Sequence, residues 1–149
     1  MPTVSNQYPN ASLIRRFAAI LYDGFLIVAL WMLTVGVFVA GFNEGEAVVG
    51  LPLQLTLYVE IYLFYIYFWR MKGQSLGMQV WKIRLVDENG EMVDIAKGTL
   101  HFVMATLTLV LPGLLWILVD PKRLALHDRW ARTRVVYLGS KPYESEIQP

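Results

Sequence analysis

The chain has 149 residues, 56% of them hydrophobic and only 17% charged, with a net charge of +1. A soluble domain of this length is nearer a quarter charged, so the composition excludes an ordinary soluble domain and points to burial in lipid. There is no cysteine, which excludes disulfides, thiolate metal sites and cysteine catalysis.

Residues 1 to 12 are polar and rich in turn formers, and are expected to be a flexible tail. The first apolar run follows Arg15 and Arg16 and covers about 17 to 40, with Asp23 in its opening turns. From Gly24 to Phe42 it carries no charge, enough to cross a hydrocarbon core of about 30 Å. It is too long for a signal-peptide core and no convincing cleavage site follows, so a retained span is expected. The connector 43 to 50 holds Glu44 and Glu46 but no basic residue.

The second span, 51 to 69, is crowded with aromatics and has Glu60 at its centre. Tyr58, Tyr62, Tyr65 and Trp69 recur at helical spacing and share a face, which is read as packing in preference to a cation-lining surface. Residues 71 to 98 are too polar for lipid. Within them Trp81, Ile83 and Leu85 alternate with Lys82 and Arg84, and Asn89-Gly90 follows. That pattern predicts a β-hairpin over 79 to 95 with a type I′ turn, whose central residues both need positive φ. A third apolar run, 99 to 119, is interrupted by Pro112-Gly113, and 133 to 138 reads as one more strand. The expected fold is a membrane all-α domain over 13 to 138, with a flexible tail at 139 to 149. It has two transmembrane helices, a third broken helical segment, and a small sheet made of the hairpin and the C-terminal strand.

Basic residues set the sidedness. Arg15 and Arg16 precede the first span and Arg70, Lys72, Lys82, Arg84 and Lys97 follow the second. The amino terminus and the 71 to 98 loop are therefore expected on the cytoplasmic side, in the bacterial cytoplasmic membrane. A third run that simply crossed would put Lys122, Arg123, Arg129, Arg132, Arg134 and Lys141 on the wrong side and leave the last strand without a partner. A re-entrant segment removes both objections. Pro112 lacks a backbone donor and Gly113 permits a sharp reversal, so the break is placed there, against the alternative of a kinked crossing helix. The carboxy terminus is then cytoplasmic as well.

Three stretches carry a family pattern: RRFAAILYDGFLI at 15 to 27, FWRMKGQSLGMQVWKIRLVDENG at 68 to 90, and LALHDRWARTRVV at 124 to 136. Together, in this order, they resemble the RDD family of membrane proteins over nearly the whole chain outside the tails. The resemblance implies that the family's arginine and two aspartates fall on Arg16, Asp23 and Asp128. It also implies a turn motif at Gly73, Gln74 and Gly77, with Ser75 where threonine is common. His101 stands near a point where the family often has arginine. The activity suggested for the family is transport.

Charges inside apolar runs are costly and mark candidate sites. Arg16 and Asp23 lie two turns apart on one helix face, about 10 Å along the axis. Asp23 is read either as an ion- or proton-handling group or as part of a fixed pair with Arg16 or a basic residue near Asp128. Glu60 is placed within about one turn of the depth of Asp23, so the two acids are expected to share a site, unless Glu60 is protonated and bonded to a tyrosine. The resemblance favours Asp128 as a structural latch, and Arg16, Asp128 and His101 are read as a structural or gating charge network. His127 and Asp128 have no second histidine at metal-ligand spacing, so no metal site is expected. No cofactor is expected either.

Two functions remain open. One is a cation- or proton-linked transporter, which with so few spans must act as a homo-oligomer. The other is a non-transporting membrane scaffold or accessory subunit. No nucleophile, base or metal set assembles at known spacing, so an enzyme is not expected. The basic cluster after 119 suits the anionic headgroups of a lipid bilayer and not nucleic acid.

Overall fold

A computed structural model of the chain describes residues 8 to 42 and 49 to 139. The connector at 43 to 48, the first seven residues and the tail from 140 lie outside the described residues. Two helices dominate, α1 (Leu13–Phe42) and α2 (Leu51–Lys72), both long and apolar enough to cross a membrane. Few of their side chains are buried, because two packed helices leave most of each surface facing outward. The face of α1 that is buried carries Arg16, Ala19, Asp23 and Ile27, at intervals of three or four residues. Trp31 donates its indole N–H to the Leu57 carbonyl at 3.1 Å, tying the two helices near mid-length.

Gly73 ends α2. Its φ of 65° is the left-handed conformation that glycine adopts without penalty, and its N–H returns to the Trp69 carbonyl. The chain then forms a short helix α3 (Leu76–Val80) and strand β1 (Ile83–Asp87). The strand begins later than the predicted hairpin because 76 to 80 is helical. All five of its residues are buried, so the expected one-sided alternation is absent.

The hairpin loop is also different. Gly90 has positive φ, at 83°, but Asn89 does not, and Gly90 N–H donates to the Asp87 carbonyl at 3.0 Å. This is a type I turn closed by a left-handed glycine, which needs one positive φ and not two. The returning arm is a single bridge, Val86 to Met92. It stops there because Asp94 caps α4 (Ile95–Leu107), accepting from Lys97 N–H at 2.7 Å.

The third apolar run breaks earlier than the sequence indicates. Between α4 and α5 (Leu111–Leu115) the chain turns at Thr108, Leu109 and Val110, and the bent pair departs from straightness by 100°. Pro112 sits in the first turn of α5, where its missing N–H costs nothing, so it starts a helix instead of ending one. Gly113 lies inside α5 and makes no reversal. A Cβ there would come within 2.4 Å of Thr108 Oγ1, so the glycine lets the two halves of the bend close.

After a 3-10 turn (Trp116–Leu118) come α6 (Leu126–Ala131), which no local pattern predicts, and β2 (Thr133–Tyr137). Strands β1 and β2 pair antiparallel, with Ile83 opposite Tyr137 and Asp87 opposite Thr133. The predicted C-terminal strand therefore finds its partner in the loop after α2. Residues 9 to 11, expected to belong to the tail, lie along the other edge of β2. Ala11 N–H donates to the Val135 carbonyl and Tyr137 N–H to the Pro9 carbonyl, each at 2.8 Å.

Candidate functional site

Asp23 is fully buried on α1, and its partners come from the turn after α2. Ser75 donates its hydroxyl to Asp23 Oδ2 at 2.5 Å, and Gly77 donates its backbone N–H to Oδ1 at 2.7 Å. Ser75 also caps α3 by accepting from Met78 N–H. Gly77 must lack a side chain, because a Cβ would fall 2.2 Å from the Ala19 carbonyl oxygen of α1. Gln74, also buried, donates to the Ile83 carbonyl at 2.8 Å and fastens the same turn to β1. Gly73, Gln74, Ser75 and Gly77 thus form a docking piece for α1, and Asp23 is its anchor point.

Arg16, one face-turn pair earlier, does not reach Asp23. Its guanidinium bonds the carboxylate of Asp128, the Val135 carbonyl at 3.2 Å and, through Nε, the Ala11 carbonyl at 3.2 Å. Asp128 also accepts from Ala125 N–H at 3.2 Å, so it caps α6 while holding α1. His101 of α4 completes the group. Its Nδ1 lies 2.8 Å from Thr133 Oγ1 and 3.6 Å from Asp128 Oδ1, and its ring meets Trp69 and His127 edge to face, each with centroids 5.1 Å apart. Burial pushes the Asp128 carboxyl up, but Arg16 and the two imidazoles outweigh it and hold the group below its ordinary value of 3.8. Burial lowers His127 below its ordinary 6.5, and Arg16 adds to that while Asp128 opposes it.

The expected neighbourhood of Asp23 and Glu60 is not formed. Glu60 Oε1 accepts from Thr34 Oγ1 at 2.5 Å. Thr34 is eleven residues beyond Asp23, about 16 Å along α1. Depth had been counted from the first apolar residue of α1, but the opening turns of that helix pack on α3, beyond the end of α2. Asp23 therefore lies level with the end of α2, and Glu60 lies well inside the helix pair.

The aromatic face of α2 packs on α4. Tyr58, Tyr62 and Tyr65 surround Phe102, with centroids 5.6, 5.5 and 6.2 Å away. Between α1, α2 and α4 is a cavity of about 460 Å³, mostly apolar, lined among others by Asp23, Arg16, His101, His127, Tyr65 and Phe102. Both charged centres of the fold open on it, and Glu60 does not. His127 is set aside as a metal ligand on sequence because its neighbour His101 is 26 positions upstream on another helix, and no local spacing announces such a pair.

A model of the RDD family matches residues 10 to 132. No curated protein and no solved structure matches the chain significantly.

Proposed function

This chain belongs to the RDD family, and we propose that it works as a cation- or proton-linked membrane transporter, acting as a homo-oligomer. The observation that carries this reading is that Asp23 is a buried carboxylate with no cation among the partners described, and opens on a cavity between helices. A carboxylate so placed binds a cation or takes up a proton at little structural cost, since its own bonds come from neutral donors. The helices fit an integral membrane protein, and the bacterial cytoplasmic membrane is the proposed location, with lipid and anionic headgroups as surroundings. No enzymatic activity and no nucleic-acid binding form part of the proposal. Both tails and the sheet are placed in the cytoplasm, because the basic residues of 70 to 97 and 122 to 134 then share one side. A reporter fused after Tyr143 is expected to be active only inside the cell, and activity only outside would reject that placement.

A scaffold is the second reading, and the Ser75 and Gly77 bonds favour it, since they also make Asp23 a structural tie. Ion flux in proteoliposomes together with melting curves separates the two. Under transport, Asp23→Asn melts close to wild type, because an amide still accepts the bond from Gly77, and loses flux. If wild type carries no cation or proton flux, or Asp23→Asn keeps it, the transporter reading fails and the scaffold remains.

A further inference from the structure

His101, His127 and Asp128 are all buried, and one ring nitrogen of each histidine and one oxygen of the aspartate lie within 4.8 Å of one another. We propose that these three side chains bind a divalent first-row transition-metal ion of the zinc or cobalt class, at the junction of α4 and α6. The two imidazoles and one carboxylate are the donor set such ions prefer, and three protein donors leave a fourth position for water or another ligand.

Four observations converge. The first is the donor set itself, brought together from two helices. The second is Asp128 Oδ1, a buried oxygen without a hydrogen-bond partner, while Oδ2 of the same group takes Arg16 and Ala125. A buried carboxylate oxygen left bare is costly unless a cation meets it. The third is support behind the donors. Gly113 leaves room for the His127 ring, and Arg16 and Ala125 fix the carboxylate, which is how ligating groups are normally oriented. The fourth is access, because both histidines line the 460 Å³ cavity. Donors around a tetrahedral zinc stand about 3.4 Å apart, as bonds of about 2.0–2.1 Å require, so the ion draws the three inward. Arg16 on the same carboxylate weakens the site, and the two imidazoles favour nitrogen-binding ions over calcium or magnesium, which need more oxygen donors. The proposal does not rest on transport, since binding is read at equilibrium.

The test uses the full chain without a histidine tag, purified in mild detergent and stripped with chelator. Cobalt(II) is titrated and its visible absorption followed. One cobalt per chain is expected, displaced by zinc. His101→Gln and His127→Gln are each expected to weaken binding by more than the roughly 10–100-fold typical of losing a supporting residue. Glu91→Gln, in the hairpin loop, is expected to bind as wild type. X-ray absorption on the zinc-loaded wild type gives a reading independent of how the variants fold, and scattering from two imidazoles is expected. No cobalt band, a band equally strong in both histidine variants, or absorption without imidazole scattering would overturn the proposal.

Discussion

A carboxylate inside an apolar helix survives when the fold brings donors to it, and for Asp23 those donors are a hydroxyl and a backbone N–H from five residues of turn. The contact depends on close approach at Gly77. Gly77→Ala must push α1 and α3 apart, because its Cβ meets backbone, and a loss of about 1–3 kcal/mol is expected. Gly24→Ala, with nothing within 4 Å of the new Cβ, is expected to be neutral or to stabilise by up to about 1 kcal/mol through helix propensity. Equal melting temperatures for the two variants would contradict the packing described. The latch at Asp128 makes a separate prediction, about acid. Asp128 and His127 both have folded values below their ordinary ones, so the unfolded chain binds protons that the folded chain refuses. Stability is then complete above 6.5 and falls as the pH drops, first through His127 and then below 3.8 through Asp128. In chelator, melting temperatures should hold from pH 7.5 to about 6.5 and decline from there to 3.5, and His127→Gln should shrink the upper part of that decline. A melting temperature rising toward pH 5 would reverse the sign and refute it. Hydropathy marked Arg16 and Asp23 as charges at or inside an apolar run, whereas Asp128 came forward only through the resemblance to the RDD family. Sequence misplaced Glu60 against Asp23 because depth depends on where helices overlap, which hydropathy does not encode.

At the scale of elements, the two long helices and the last strand were legible, because uninterrupted apolar length and β-branched alternation are local signals. The break in the third run was legible as a break but not as a position. Pro112 drew attention as the breaker, yet proline fits the first turn of a helix, and the bend was made by residues that look ordinary. Leu109 and Val110 have φ of 53° and 45°, and Val110, with ψ of −65°, is the centre of a γ-turn; positive φ costs a residue with a side chain roughly 1–2 kcal/mol. Backbone bonds from Val110 N–H to the Ala105 carbonyl at 2.8 Å and from Gly113 N–H to the Thr108 carbonyl at 3.2 Å hold them there. Leu109 is 74% exposed, so replacing it sacrifices little packing. Leu109→Gly is therefore expected to melt higher than wild type, or at least no lower, while Pro112→Ala changes little. A clear loss on Leu109→Gly would mean that the side chain, and not the strain, governs the bend. The hairpin was half legible for a similar reason. The turn residues were right, but Asp94 starts a helix so soon that its second arm has no room.

For the whole molecule, the sheet gathers at the end of the helices where α1 begins and α2 stops. Residues 9 to 11, β1, α6 and β2 are all bound there around Arg16 and Asp128. Among the described residues the other end carries only the two long helices, and Glu60 stands within them, half-buried. Its Oε2 has no partner among the described residues, and the shallow apolar hollow beside it is lined by Leu30, Leu63, Phe64 and Tyr67. A buried carboxylate oxygen without a partner is expensive, and water is not at hand to relieve it. A second copy of the chain laid on this face covers the apolar hollow and supplies the helices that two spans lack for enclosing a path. The wild-type chain is accordingly expected to run as a multiple of 17.1 kDa by light scattering in mild detergent and in native lipid particles. Glu60→Leu removes the half-buried acid. If the face is held by Glu60 itself, that variant loosens the assembly. If apolar packing holds it, the assembly tightens. A strictly monomeric mass for wild type in lipid would reject the oligomer, and the proposed transporter would then lack a pathway.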